Sequence, residues 1–506
     1  MVRELITVQV GQCGNQIGRK FWQQALGEHA ANNPDGVFDE CMSTFFRNVD
    51  TRFDRDLSIG DGSQPIYNLK ARAVLVDMDS GPVSETHRGE LGDLFDERQF
   101  VTDVSGAGNN WAHGNAIYGP KYADELLEAI RREAERCDSL QSFFLVHSLG
   151  GGTGSGLGTY LLSLLEDHYA DVYRFSTAVF PSGDDDVITS PYNTVLALRE
   201  LTAHADCVLP VDNASLVNIV KRMSSGRDAR DGSTVRGSKT DDNGGSGFDS
   251  MNGLVARLLT DLTASMRFAG DLNVDLNEIT TNLVPYPRLH YILSGISPLP
   301  EMQMLAGGGP QSGADEAVIN GCDSTGFRRG ASGRGGAAAS VLMNRPRHMA
   351  QMFSDGFSRS NQLMDTDPRA STFLACGLLV RGDVVVSDVN ANIMRLSQEL
   401  RMIHWNQEGF KIGLCGVPPL REKQSLLCLS NNSCLKDTFS QLKERFNQLY
   451  HRRAMLHHYT QFVEQDAFEE ASQSLDDLIS DYTELDSSRA KPEENWSGRA
   501  RLRPAF

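Results

Sequence analysis

A chain of 506 residues with 40% hydrophobic content has ordinary globular composition and length for about three domains. Its formal net charge of −18 argues against a general nucleic-acid binder. No apolar run approaches roughly 18 residues and no signal-peptide pattern follows Met1, so neither membrane spanning nor secretion is expected and the chain is assigned to the cytosol. Nine cysteines, at 13, 41, 137, 207, 322, 376, 415, 428 and 434, contain no C-x-x-C pair and read as reduced, mostly buried thiols.

Strand-like runs at Leu5–Val10, Ala71–Val76, Phe100–Val104, Ser142–His147, Val172–Val179 and Cys207–Val211 alternate with helical patterns such as Tyr122–Arg136. This alternation predicts an α/β fold with a doubly wound parallel sheet. Ligands bind such sheets outside the carboxyl ends of the strands, so the loops after each strand are the candidates. The first strand runs into Gly11-Gln12-Cys13-Gly14-Asn15-Gln16-Ile17-Gly18, a glycine-bearing turn whose Gln amides suit phosphate or base. The second is followed by Asp77 and Asp79, carboxylates suited to holding Mg²⁺ through water. The third leads to Ala107-Gly108-Asn109-Asn110, and the fourth to the most informative segment, residues 147–158, His-Ser-Leu-Gly-Gly-Gly-Thr-Gly-Ser-Gly-Leu-Gly. Leu157, Tyr160, Leu161, Leu164 and Leu165 recur at helical spacing behind it, so the glycines lie between a strand and a helix. There, successive backbone N–H groups reach a polyphosphate without side-chain obstruction, and the helix N-terminus adds positive dipole. The spacing matches neither the dinucleotide fingerprint nor the Walker loop, so this is a phosphate cradle of another kind.

A core helix at 248–269 is predicted to lead from a nucleotide-binding domain, 1–247, into a second α/β domain, 248–430, with strands near 286–293, 372–381, 410–415 and 425–430. Glycine-rich stretches at 224–247 and 306–340 read as a mobile loop and an insertion too poor in large apolar groups to fold alone. Within 271–279, a helical reading puts Asp275 and Glu278 on one face at i, i+3, a pattern that is usually just solvated. Two amphipathic helices fill 431–485, the first carrying Phe439, Leu442 and Phe446 and the second Phe468, Leu475 and Leu478. A basic flexible tail, 486–506, ends the chain.

Val-Gly-Gln-Cys-Gly-Asn-Gln-Ile-Gly at 10–18, Gly-Gly-Gly-Thr-Gly-Ser-Gly at 150–156, Ser-Pro-Tyr-Asn at 190–193, Asn-Leu-Val-Pro-Tyr-Pro-Arg-Leu-His at 282–290 and Arg-Gly-Asp at 381–383 resemble the tubulin family. The resemblance spans most of residues 1–485. Phe-Phe-Arg-Asn-Val-Asp-Thr-Arg at 45–52, Pro-Ser-Gly-Asp-Asp-Asp-Val-Ile-Thr at 181–189 and Trp-Asn-Gln-Glu-Gly at 405–409 are similar to its epsilon branch. The resemblance implies GTP or GDP with Mg²⁺ on the strand-end loops. Gln12, Cys13 and Gln16 would lie beside guanine and phosphates, Asp77 and Asp79 near the magnesium, and Gly108, Asn109, Gly151, Gly152, Thr153 and Gly154 around the phosphates. Asn213 and Asn252 would bond the guanine, with Phe248 stacked on it in place of the family's usual tyrosine. Ser190 stands where alpha- and beta-tubulin carry a glutamate that helps hold the ribose.

Glu278, supported by Asp275, is implied as an acid that completes the nucleotide site of an adjacent subunit, which makes the chain an assembly-dependent GTPase. The implied partners are alpha/beta-tubulin, delta-tubulin or a second copy, together with centriolar or basal-body proteins, and no nucleic acid or membrane. The implied location is the cytoplasmic cytoskeleton at centrioles, centrosomes, basal bodies and cilia. The insertion at 306–340 falls at the family's lateral-contact loop, so ordinary microtubule-wall packing is not expected. A stand-alone nucleotide-dependent enzyme on a Rossmann-like sheet is the competing class. It lacks a visible nucleophile–base pair.

Overall fold

A computed structural model of the chain describes residues 3–488 apart from 34, 35, 37, 51, 54, 58, 60–65, 67, 184, 186, 232–244, 271, 300–348 and 421. The strands β1 (Glu4–Val10), β5 (Ala73–Asp77), β6 (Phe100–Thr102), β7 (Leu140–Ser148), β8 (Tyr173–Phe180) and β9 (Cys207–Asp212) form a parallel sheet in the order β6-β5-β1-β7-β8-β9. Burial on both faces explains their nearly unbroken apolar runs. Ile6, Val8 and Val10 share one core with α3 (Gly119–Ala134), α4 (Gly158–His168) and α5 (Ser190–His204), while Leu5 shares the opposite core with α1 (Gly11–Asn32) and α7 (Gly245–Arg267). A small antiparallel sheet, β3 (Arg55–Leu57), β2 (Phe46–Asp50) and β4 (Leu69–Ala71), lies beside it.

The second sheet is mixed, β10 (Leu293–Ser297), β13 (Gln424–Asn432), β11 (Phe373–Gly382) and β12 (Phe410–Cys415), in that order. The strand expected at 286–293 starts at Leu293 instead. Pro285 and Pro287 lack the N–H groups a ladder needs, and residues 290–292 are stitched to the first sheet, with Val208 N–H donating to His290 O and Ile292 N–H to Val208 O. The helical pair α11 (Leu435–Tyr450) and α12 (Asp466–Ser487) packs on α5 through Phe446 and Phe468, whose rings meet Tyr192 edge-on.

The margins of the expected loops are helical. Helix α6 runs Asn213–Asp231 and α7 starts at Gly245, so of the loop read at 224–247 only 232–244 lies outside the described residues, as does the whole insertion at 306–340. Asp486 is anchored rather than part of a tail: its Oδ1 accepts from Thr372 N and Oγ1 and from Ser433 Oγ, and Lys436 pairs with Oδ2. Residues 489–506 lie outside the described set. No helix among the described residues is long and apolar enough to cross a membrane.

Candidate functional site

The loops following β1, β7, β8 and β9 converge with the first turns of α7 on a cavity of about 700 Å³. Gln12, Cys13, Gln16, Gly151, Asn213, Phe248 and Asn252 all line it. Its size suits a cofactor. Phe248 is 58% exposed and lines the cavity, and Asn252 Nδ2 donates to Gln16 Oε1 at 3.4 Å. Burial pushes the Cys13 thiol up to about 12, so it stays protonated and is no nucleophile.

Close backbone packing, for which glycine is required, shapes the loops after β1 and β7. A Cβ on Gly152 would lie 2.7 Å from Asn110 N and 2.9 Å from Ala107 Cβ, and one on Gly154 would lie 2.9 Å from Ser148 O. Gly11, at φ +75°, would put a Cβ 3.1 Å from Gly154 N. The turn at 107–110 carries Gly108 at φ +60° and Asn109 at φ 53°, the left-handed region where glycine and asparagine are tolerated. Thr153 opens a wide π-type turn, Thr153–Leu157, that feeds α4. Helices α1 and α6 also begin at the cavity, and Arg19 and Lys20 are already paired with Glu85 and Asp249. An anion in this cavity would therefore have to be met by backbone N–H groups and helix N-termini rather than by these two cations.

His147 supports this loop from inside the sheet. Its Nδ1–H donates to Gly154 O at 2.8 Å and its Nε2 accepts from Ser176 Oγ at 2.9 Å, and burial pushes its pKa down to about 4, so the ring is neutral. Ser190, buried at the start of α5, donates to Asp185 Oδ2 at 2.8 Å. Asp185 lines the cavity and was not singled out from sequence; three adjacent aspartates at 184–186 were its only signal.

Asp77 ends β5, and burial raises its carboxyl to about 6. Oδ1 accepts the Asp79 N–H at 3.2 Å, while Oδ2 is buried without a hydrogen-bond partner. Asp79 caps α2 (Ser80–Arg88) by accepting from Gly81 N at 3.0 Å. Among the described residues no group of three or more His, Cys, Asp or Glu could cage a metal. Neither Asp77 nor Asp79 lines the cavity, but the orphaned Asp77 oxygen has lone pairs left that would suit a water held by a cation.

Asp275 and Glu278 do not share a helical face. Asp275 is the N-cap of α8 (Leu276–Leu283), where its Oδ1 accepts from Glu278 N at 2.7 Å, and it also pairs with Arg3. The i, i+3 spacing reflects a cap, in which a short acid satisfies an otherwise orphaned N–H. Glu278 is about half exposed, pairs with Lys411 at 2.6 Å on β12, and does not line its own chain's cavity.

Comparison with known proteins matches residues 4–221 to the GTPase domain of the Tubulin/FtsZ family and residues 338–444 to the Tubulin C-terminal domain. The tubulin epsilon chain of Homo sapiens is 48% identical over 502 residues, covering 96% of this chain and 97% of that protein. The chain belongs to the tubulin family. The tubulin epsilon chain of Mus musculus is equally similar, 48% over 505 residues with 96% and 97% coverage, and the tubulin beta chain of Pyropia yezoensis is 31% identical over 498 residues with 97% and 95% coverage. It is thus a GTP-binding, epsilon-like member of the tubulin family with a GTPase domain.

Proposed function

We propose that the cavity holds GTP or GDP with the guanine between Asn213, Asn252 and the Phe248 face, and the phosphates on Gly151, Gly152, Thr153 and Gly154 with Gly108 and Asn109 opposite. The observation that carries this is the convergence of two amides, an exposed aromatic side chain and the Gly150–Gly151 stretch of the glycine loop on one cavity at the strand ends, with Gly152 and Gly154 packed tightly just behind it. Asparagine offers both donor and acceptor, which suits the guanine edge. Gln12, Cys13 and Gln16 border base and phosphates, and Asp185 with Ser190 takes the ribose hydroxyls. Asp77 and Asp79 hold Mg²⁺ through water; the ion neutralises phosphate charge when bound.

Hydrolysis is completed on assembly. Glu278, half-exposed on α8 away from its own cavity, orients water at the nucleotide of an adjacent tubulin-family subunit, and Asp275 fixes the start of that helix. Resemblance to the epsilon branch supports a cytoskeletal role at centrioles and basal bodies. Purifying the chain, identifying its bound nucleotide by chromatography, and following GTP turnover against protein concentration tests the reading. Bound GTP or GDP with turnover rising more steeply than linearly is expected. A preparation without guanine nucleotide that cannot be loaded with it refutes the site.

A further inference from the structure

Asn193, the last residue of Ser-Pro-Tyr-Asn, is fully buried on the first turn of α5 and uses its whole hydrogen-bonding capacity. Its Nδ2 donates to the carbonyls of Asn109 and Gly150, each at 2.8 Å. Its Oδ1 accepts Trp111 N–H at 2.9 Å and Tyr459 O–H at 2.6 Å. The amide cannot be flipped, since that would set an NH₂ group against the Trp111 N–H and a carbonyl against two carbonyls. One side chain thus joins the turn at 107–110, the glycine loop and the segment between α11 and α12. In a trans peptide the N–H points opposite its C=O, so holding the Gly150 carbonyl also directs the N–H of Gly151, which lines the cavity.

The outer segment has further ties to the same place. Asn110 Nδ2 donates to His458 O at 2.9 Å, Tyr192 Oη donates to Ala454 O at 3.0 Å, and the His113 and Phe462 rings are 5.2 Å apart. The segment also holds Arg453 at φ 51° and Met455 at φ 58°, conformations that non-glycine residues keep only when their surroundings impose them. We infer that Asn193 is a positioning residue that sets the spacing of the two phosphate loops, and that Tyr459 carries their state to the 451–463 segment joining the outer helices. This rests on the nucleotide reading above. Phosphates that tighten the loops restrict Asn193, and through it Tyr459. The segment then responds to the phosphate chain and not to the base.

The test compares GTP with GMP, which shares base and ribose, on the wild-type chain, Tyr459→Phe and Asn193→Asp. Backbone hydrogen exchange is followed at 451–463 and 149–157, with each nucleotide at saturation. In the wild type GTP is expected to slow exchange at 451–463 at least threefold more than GMP does. Tyr459→Phe should lose that difference at 451–463 while keeping it at 149–157. Asn193→Asp, whose carboxylate cannot donate to the two carbonyls, should lose at least tenfold more GTP affinity than GMP affinity. Equal GTP and GMP effects in the wild type, or a Tyr459→Phe chain that keeps the full difference at 451–463, overturns the inference while leaving nucleotide binding intact. Equal affinity losses for both nucleotides in Asn193→Asp would mean a purely structural amide and also overturn it. If Asn193→Asp fails to fold, the tyrosine variant decides. A wild-type chain that binds neither nucleotide removes the inference together with the reading beneath it.

Discussion

Helix α1 connects two regions built on opposite rules. At its start, Gly11 packs on the glycine loop and Gln12, Cys13 and Gln16 face an open cavity. Toward its other end, Glu28 is buried in a charge network: Oε1 meets Arg381 at 2.9 Å, Oε2 meets Arg267 at 2.6 Å, and Arg381 reaches Asp261 at 2.9 Å. Arg257 extends the network to Asp261 at 2.7 Å and Glu422 at 2.8 Å. Burial raises the Glu28 carboxyl, but Arg381 and Arg267 outweigh it and hold the pKa at about 2. The first region leaves polar groups for a ligand; the second satisfies its charges with one another. Substitutions at the two ends should therefore separate stability from binding.

The largest cost to the fold is expected from Arg381→Met. It deprives Glu28 and Asp261 of a counter-charge, a loss of about 3–5 kcal/mol that a lowered urea midpoint at constant m would report. A cost under about 1 kcal/mol would erase the contrast between the regions. Next comes Gly152→Val at the opposite end. Overpacking against Asn110 and Ala107 should cost about 1–3 kcal/mol and expel nucleotide, so stoichiometric GTP retained on the purified variant would break the site assignment.

Acid tests both regions at once. His29, beside the network, is pushed down to about 3 by burial and by Arg267, and His147, behind the glycine loop, to about 4 by burial, both from an ordinary 6.5. Below pH 6.5 the unfolded chain takes up protons that the folded chain refuses, so stability is full above that pH and falls as pH drops through it toward 4 and then 3. Each group contributes a slope of at most about 1.4 kcal/mol per pH unit. Glu28 adds a loss between its ordinary 4.5 and about 2, because its protonation breaks the pairs with Arg381 and Arg267. Asp77, raised to about 6, works in the opposite sense over part of this range, so the test is differential: His147→Gln should weaken the fall of the urea midpoint between pH 7 and pH 5 relative to the wild type, and an identical pH dependence in the two chains contradicts the His147 assignment.

The smallest costs to the fold belong to residues that are only partly buried. Glu278→Ala removes a part-exposed pair with Lys411, worth about 0–1 kcal/mol, yet under assembling conditions it should slow GTP turnover roughly 10²–10⁴-fold. Turnover equal to wild type would reduce Glu278 to a surface ion-pair partner. Asn252→Ala should change stability by no more than about 0.5 kcal/mol. Its expected loss is one of guanine preference, about tenfold or more in competition between GTP and ATP, and an unchanged ratio would remove Asn252 from the base contact.

The parallel strands were legible because apolar runs between glycine-bearing turns leave few alternatives, and the glycine loop because no other chemistry needs so many missing side chains. The start of β10 was misplaced because Leu289, Tyr291 and Ile292 are apolar for a different reason: they plug the joint between the two sheets. Asp275 misled because a cap and a helical face share the same spacing. Asp-Leu-Asn-Glu also carries the capping-box pattern, the cue that would have separated the two readings. Asn193 and Lys411 were out of reach, since each acts on a partner brought close only by the folded chain. Asn193 and Tyr459, for example, are 266 positions apart.

The order of the strands also dictates when the chain can first meet its ligand. β1 is made before the other strands of its sheet, yet it sits in the middle of the sheet and pairs with Ala73–Val76 on one side and Leu140–Val146 on the other. The cavity then stays open until Phe248 and Asn252 have been made. At roughly 5–20 residues per second, a nascent chain spends about 2–8 s between finishing β9 and reaching Asn252, with its apolar strands synthesised and no complete nucleotide site to stabilise them. The nucleotide site is therefore among the last parts of this region that synthesis completes.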